Sequence, residues 1–240
     1  MIIIYDFDGT LTPYSLPQYE ILKQCKYTEE TLMKRIRSEI EKGNAIGLYD
    51  AYFQCYRDIL SENGFIMSKN NICLGAKIVQ FNNGVVEYFK KFQSSKTGIK
   101  HYIVTSGIKD YIYETAIGEL VDGIYGVTFK QENGVFGDVD FLLTDKKKVD
   151  VIRKIQNENN GSQQLMYFGD GLTDKFAFEY VHSIGGKNVF IASTERSMDN
   201  YRKLNVSGII DKCFDADFSI DSKISNFVQS QQVSERDISR

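Results

Sequence analysis

Proline is nearly absent from this chain. Two occur in 240 residues, Pro13 and Pro17, and both mark where the chain leaves its first strand. Cysteine is scarce and scattered. Cys25, Cys55, Cys73 and Cys213 form no Cys-x-x-Cys pair, and neither His101 nor His182 lies at ligand spacing from any of them. This pattern argues against a zinc site and is expected of reduced thiols in a cytoplasmic protein. No stretch approaches the roughly 20 apolar residues that span a bilayer. No basic segment precedes the first apolar run, so neither a membrane span nor a secretory leader is expected. Neither sign of charge dominates: 29 Lys and Arg stand against 32 Asp and Glu, a formal net charge of −3. The longest lysine run is Lys146-Lys147-Lys148, too short for a polybasic patch, and nucleic acid is not an expected partner.

What remains is an ordinary globular composition, 42% hydrophobic and 25% charged. The length suits one domain with an insert. The most specific segment comes first. Ile2-Ile3-Ile4-Tyr5 reads as a buried strand, and Asp6-Phe7-Asp8-Gly9-Thr10 follows directly. Open α/β sheets bind ligands at that end of their strands. A buried carboxylate pair is costly without positive charge nearby, and a divalent cation is the simplest source of it.

Helix-forming patterns fill the next sixty-odd residues. Thr28 to Lys42 stops at Gly43, and Tyr49, Tyr52, Phe53, Tyr56, Ile59 and Leu60 recur at helical spacing before Gly64. The aromatic cluster Tyr49, Tyr52, Phe53 and Tyr56 is expected to pack as the core of this insert. Val85 to Phe92 predicts a further helix. Strands and helices then alternate: strand His101–Val104, helix Lys109–Ile117, and strands Ile124–Phe129 and Val135–Phe141 joined at Glu132-Asn133-Gly134. Helix Lys148–Glu158, strand Leu165–Phe168, helix Lys175–Val181 and strand Val189–Ala192 follow. Such alternation predicts a parallel sheet covered on both faces. The polar segment from about Ser230 is expected to fray.

Four segments place polar residues at strand ends or helix starts. Asp6 and Asp8, two apart in extended backbone, point the same way, and two carboxylates in different environments can divide the roles of nucleophile and acid. Thr105-Ser106-Gly107 offers a hydroxyl and backbone N–H groups at a helix start, an anion site, and either Thr105 or Ser106 could supply the hydroxyl. Thr144-Asp145-Lys146-Lys147-Lys148 opens a helix with lysines at its positive end, where they serve something other than the helix. Any of the three could meet a phosphate. Gly169-Asp170-Gly171-Leu172-Thr173-Asp174 is a tight turn carrying two more carboxylates.

In order and spacing these four segments resemble the motifs of the haloacid dehalogenase-like superfamily over roughly residues 1–220. Thr105 falls at its strand-end Ser/Thr. Lys148 falls at its lysine, within Lys148-Val149-Asp150-Val151-Ile152, and Asp170 and Asp174 fall on its Gly-Asp-x-x-x-Asp motif. The resemblance implies an α/β, Rossmann-like core over residues 1–13 and 83–228. It implies an α-helical cap over 14–82, as in phosphoserine phosphatase-like members, and leaves a polar tail at 229–240. It also implies Mg²⁺ held by Asp6, Asp170 and the backbone carbonyl of Asp8, with Asp174 supporting those ligands. Asp6 would attack phosphorus, Asp8 would serve as acid and base, and Thr105, Ser106, Gly107 and Lys148 would hold the phosphate. The activity expected is hydrolysis of a small phosphorylated metabolite. A phosphomutase or phosphotransferase, or a catalytically silent binding protein, is the alternative; Asp8 argues against a dehalogenase. Within the insert, Glu20 and Arg57 are the charged residues expected to meet a zwitterionic leaving group.

Overall fold

The computed structural model describes residues 1–13, 19–45, 47–159, 161 and 164–238, so Pro17 lies outside it. Strand β1 (Ile2–Tyr5) is followed by four helices, α1 (Glu20–Gln24), α2 (Glu29–Glu41), α3 (Leu48–Glu62) and α4 (Lys69–Ile72). Helices α5 (Val85–Phe92) and α6 (Ser94–Thr97) lead to β2 (Lys100–Ile108) and α7 (Lys109–Tyr113). Next come β3 (Gly123–Glu132), β4 (Val135–Phe141), α8 (Asp145–Glu158), β5 (Leu165–Gly169) and α9 (Lys175–Ser183). The chain continues through β6 (Lys187–Ala192), α10 (Glu195–Asn205), β7 (Lys212–Asp215) and α11 (Lys223–Ile238).

The seven strands form one sheet in the order β4-β3-β2-β1-β5-β6-β7, parallel throughout except for β4. This α/β sheet agrees with the alternation read from the sequence. β1 sits between β2 and β5, and all four of its side chains are fully buried. That position explains its unbroken apolar run, since a strand covered on both faces has no solvent side to make polar. Its residues divide between the faces. Ile3 and Tyr5 join one apolar cluster with the insert helices and α5, while Ile2 and Ile4 join another with α8, α9 and Phe190. Each buried Ile or Leu contributes about 1.5–3 kcal/mol. Ile21, Leu32, Ile36, Tyr52, Phe53 and Tyr56 belong to the first cluster, so the insert shares its core with one face of the sheet.

Between β1 and β5 the chain order reverses, the place where open sheets form a crevice. Asp6 follows β1 and Asp170 follows β5, and the Asp6 N–H donates to Phe168 O at 2.9 Å. The Asn133-Gly134 turn has φ of 51° and 78°, as a two-residue hairpin requires.

Three expectations need correction. β2 does not stop at Val104 but runs to Ile108, so Thr105, Ser106 and Gly107 lie in its end rather than at a helix start. The pairing of β2 with β3 slips between Val104 and Ile108, which face Tyr125 and Val127. The two surplus residues form a bulge, a common means of re-aiming side chains at a sheet end. Helix α7 ends at Tyr113, short of Ile117. The polar C-terminal segment is helical rather than irregular: α11 runs through it to Ile238, and Ile224 and Val228 on its preceding turns are fully buried.

Candidate active site

Lys148 is the pivot of the site. Its Nζ lies 2.7 Å from Asp174 Oδ1 and 3.0 Å from Asp6 Oδ2, and the side chain is 1% exposed. The phase of α8 selects it from the triplet, because Val151, Ile152 and Ile155 are buried on the same helical face. Lys146 and Lys147 instead lie over the rings of Phe176 and Phe141.

Asp174 is fully buried, and both its oxygens are occupied. Oδ1 accepts from Lys148 Nζ and, at 2.6 Å, from the Tyr167 hydroxyl, while Oδ2 accepts the N–H groups of Asp170 and Gly171 at 3.2 Å each. Those contacts fix the loop after β5 and hold Lys148 against Asp6. Thr10 Oγ1 donates to Asp170 Oδ1 at 3.3 Å. Oxygens of Asp6, Asp170 and Asp174 all lie within 4.8 Å of one another.

Three carboxylates around one ammonium leave the cluster two negative charges in excess. The titration of Asp6 and Asp170 reflects burial together with this charge. Burial pushes the Asp6 carboxyl up to about 6 despite the opposing pull of Lys148, with Asp174 adding to the rise. Burial and the charges of Asp174 and Asp6 push Asp170 well above the usual carboxylate range. For Lys148, burial disfavours the charge, but Asp174 and Asp6 outweigh it and raise its pKa. A divalent cation has the charge and the preference for carboxylate oxygen that this cluster lacks. Asp6 and Asp170 have the capacity to ligate one. Asp174, committed to four donors, is placed to support them.

Asp8 lines the same cavity, half-buried. A Cβ on Gly107 would stand 3.1 Å from Asp8 Oδ2 and 3.4 Å from Thr105 Oγ1, so the bulge of β2 brings the second acid and the buried threonine together. Thr105 Oγ1 accepts the Gly107 N–H at 3.0 Å. Ser106 Oγ lies near the Tyr49 hydroxyl without a well-formed hydrogen bond, and that hydroxyl donates to Asp145 at the start of α8.

No family model matches the chain. A relative from Borreliella burgdorferi, an uncharacterized protein, is 25% identical over an alignment 228 positions long, and the match covers 76% of this chain and 78% of that one. Among solved structures, phosphoserine phosphatase in its apo form aligns with a TM-score of 0.60 at 17% identity, covering 89% of this chain and 92% of that one. A substrate-bound phosphoserine phosphatase complex gives 0.60 at 19%, covering 89% and 91%. A HAD-family hydrolase from Salmonella enterica serovar Typhi gives 0.65 at 13%, covering 92% and 72%. The chain shares the fold of these phosphoserine phosphatases.

Above the carboxylates, this phosphoserine phosphatase-like fold leaves a cavity of about 750 Å³. Thr105, Ser106, Gly107 and Lys148 line it with Asp6, Asp8 and Asp170. The two insert residues singled out in the sequence lie elsewhere. Glu20 pairs with Lys23 at 3.3 Å, and Arg57 turns to β4, where it meets Asp138 at 3.0 Å; neither lines the cavity. The insert instead presents Glu29, Glu30, Met33, Lys34 and Arg37 of α2 and Leu48, Tyr49 and Tyr52 of α3. Tyr52, Phe53 and Tyr56 are core residues as expected, but Tyr49 is half-buried, and both Tyr49 and Tyr52 also face the cavity. The sequence reading missed Thr10 and Tyr167, whose roles depend on which strands are neighbours, and the rim of α10 around Arg196.

Proposed function

We propose that this protein is a Mg²⁺-dependent phosphomonoesterase that hydrolyses a small phosphorylated metabolite through an aspartyl-phosphate on Asp6. The observation that supports this most directly is Lys148, buried between Asp6 and Asp174 with Asp170 within 4.8 Å of both acids. Asp6 and Asp170 would hold the metal together with the carbonyl of Asp8. When bound, Mg²⁺ supplies charge that neutralises phosphoryl oxygens.

The chain's own residues would do the rest. A carboxylate oxygen of Asp6 attacks phosphorus and the bond to the leaving oxygen breaks. Asp8 gives that oxygen its proton. Asp8 then takes a proton from water, the hydroxide oxygen attacks phosphorus, and inorganic phosphate leaves Asp6 as a carboxylate. Lys148 and Thr105 would face the non-bridging oxygens, where fixed charge and donors act most strongly in the transition state. Lys148 also keeps Asp6 ionised despite its burial.

The test is turnover of p-nitrophenyl phosphate with and without Mg²⁺, with Asp6→Asn alongside. Activity should require the metal and fall more than about 10⁴-fold in the variant. Near-wild-type turnover in Asp6→Asn, or full activity in EDTA, overturns the proposal.

A further inference from the structure

The cavity sits in the upper part of the ~300–1,000 Å³ range of small-molecule sites. Glu30, Met33, Lys34 and Arg37, spaced as one face of α2, line about 10 Å of it. Leu48 from the insert and Leu172 from the core also line it, and each keeps 46% of its surface exposed. Exposed apolar surface on two sides of a cavity is surface that a ligand can cover.

The charges on this wall are not balanced. Glu30 holds Lys34 at 2.7 Å, and Glu29 reaches Arg196 at 3.9 Å. Arg37 has no ion-pair or hydrogen-bond partner among the described residues, although Glu41 lies one turn along the helix and Glu30 two turns back. Every other arginine whose side chain is described is ion-paired: Arg35, Arg57, Arg153, Arg196 and Arg202. A second unused group belongs to the same cavity. Tyr52 is 7% exposed, yet its buried hydroxyl has no hydrogen-bond partner. A buried hydroxyl without a partner is costly, and a ligand oxygen that accepts from it would relieve that cost.

The geometry points to a substrate with two oxyanion ends: a phosphomonoester whose leaving group has an apolar middle and carries a second carboxylate or phosphate. Arg37 takes the second oxyanion, the leucines cover the middle, and the Tyr52 hydroxyl donates to an oxygen of the leaving group. A guanidinium grips either oxyanion in bidentate fashion. This inference rests on the phosphomonoesterase reading and names its substrate class. Glu20 and Arg57, the pair read from the sequence for a compact zwitterion, lie outside the cavity, and the acids on this wall, Glu30 and Glu29, are already paired with Lys34 and Arg196.

The test uses ω-carboxyalkyl phosphates and alkanediol bisphosphates of two to eight carbons. Each is compared with the uncharged alkyl phosphate of equal length and with O-phosphoserine, in Mg²⁺. At one chain length the second oxyanion should raise kcat/KM at least tenfold, mostly through KM, and whichever series shows the gain identifies the oxyanion. Arg37→Gln should remove most of that gain. Arg37→Glu should shift the preference to ω-aminoalkyl phosphates. Tyr52→Phe should lower kcat/KM more on the preferred substrate than on p-nitrophenyl phosphate. If p-nitrophenyl phosphate is turned over but no second oxyanion helps, or the gain survives Arg37→Gln, or O-phosphoserine is preferred, the inference is overturned alone. If p-nitrophenyl phosphate with Mg²⁺ gives no turnover, the phosphomonoesterase reading fails and takes this one with it.

Discussion

Gly9 and Asp170 are packed so closely that no side chain fits between them: a Cβ on Gly9 would lie 2.2 Å from Asp170 Oδ2. Gly9 also has φ of +79°, a conformation that costs other residues about 1–2 kcal/mol. The glycine of the opening motif therefore lets the ends of β1 and β5 bring their carboxylates together. Gly9→Ala should displace Asp170. The apparent Mg²⁺ affinity in the activity assay should fall at least tenfold, and urea denaturation should show a loss of about 1–2 kcal/mol. A Mg²⁺ requirement like that of the wild type would show that Asp170 does not need this space.

The excess negative charge of the cluster predicts a stabilising metal. Mg²⁺ at about 100 times its dissociation constant should add about 2.7 kcal/mol. For a chain of this size that raises the midpoint by about 5–11 °C. In Asp170→Ala the shift should shrink to about 2 °C or less. An equal shift in wild type and variant would remove Asp170 from the metal site.

Protons would compete with the proposed metal for the same carboxylates. Asp6 is held up at about 6 by burial, with Asp174 adding to the rise, and Asp170 is pushed well above its ordinary value. A ligating carboxylate must be ionised, so protonation weakens binding as the pH falls through about 6. Calorimetric titration of the metal-free protein should show affinity dropping about tenfold per pH unit for each proton displaced. The heat should vary with buffer ionisation enthalpy, because protons are released. Affinity that stays level down to pH 5 would mean that the acids are already ionised.

What the sequence disclosed follows from how local each signal is. Asp6, Asp8, Asp170 and Asp174 stand beside apolar runs that can only be buried strands, so their place at one sheet edge was legible. The choice of Lys148 over Lys146 and Lys147 was also legible in principle, since Val151, Ile152 and Ile155 give the buried phase of α8. Thr10 and Tyr167 were not, because their partners Asp170 and Asp174 become neighbours only when β1 pairs with β5. The bulge that aims Thr105 depends on the register of β2 with β3. Arg57 and Arg37 are both arginines on amphipathic helices, and only the packing of α2 and α3 shows which of them faces the cavity.

Away from the site, His101 should set much of the acid sensitivity of the fold. It is fully buried on β2, with Nε2 2.8 Å from Phe92 O and Nδ1 3.0 Å from the Tyr5 hydroxyl. A carbonyl can only accept, so Nε2 carries the proton and Nδ1 accepts from Tyr5, whose oxygen is free to accept from Tyr88 at 2.8 Å. Protonating Nδ1 would oppose two donors and charge a buried ring. Burial accordingly lowers the His101 pKa from 6.5 to about 4, against the smaller upward pulls of Phe92 O and Asp122. The unfolded chain then binds the proton at higher pH than the folded one. The neutral ring's contribution is fully present above about pH 6.5 and is lost as the pH falls toward 4, roughly 3 kcal/mol in all. His101→Gln should be less stable than wild type at pH 7.5, because the chain from Tyr88 to Phe92 is disturbed. Between pH 7 and 4.5 it should lose less stability than wild type, because nothing at that position titrates. Urea denaturation at half-unit pH steps measures the difference. Parallel curves for the two proteins would show that His101 does not carry the acid sensitivity.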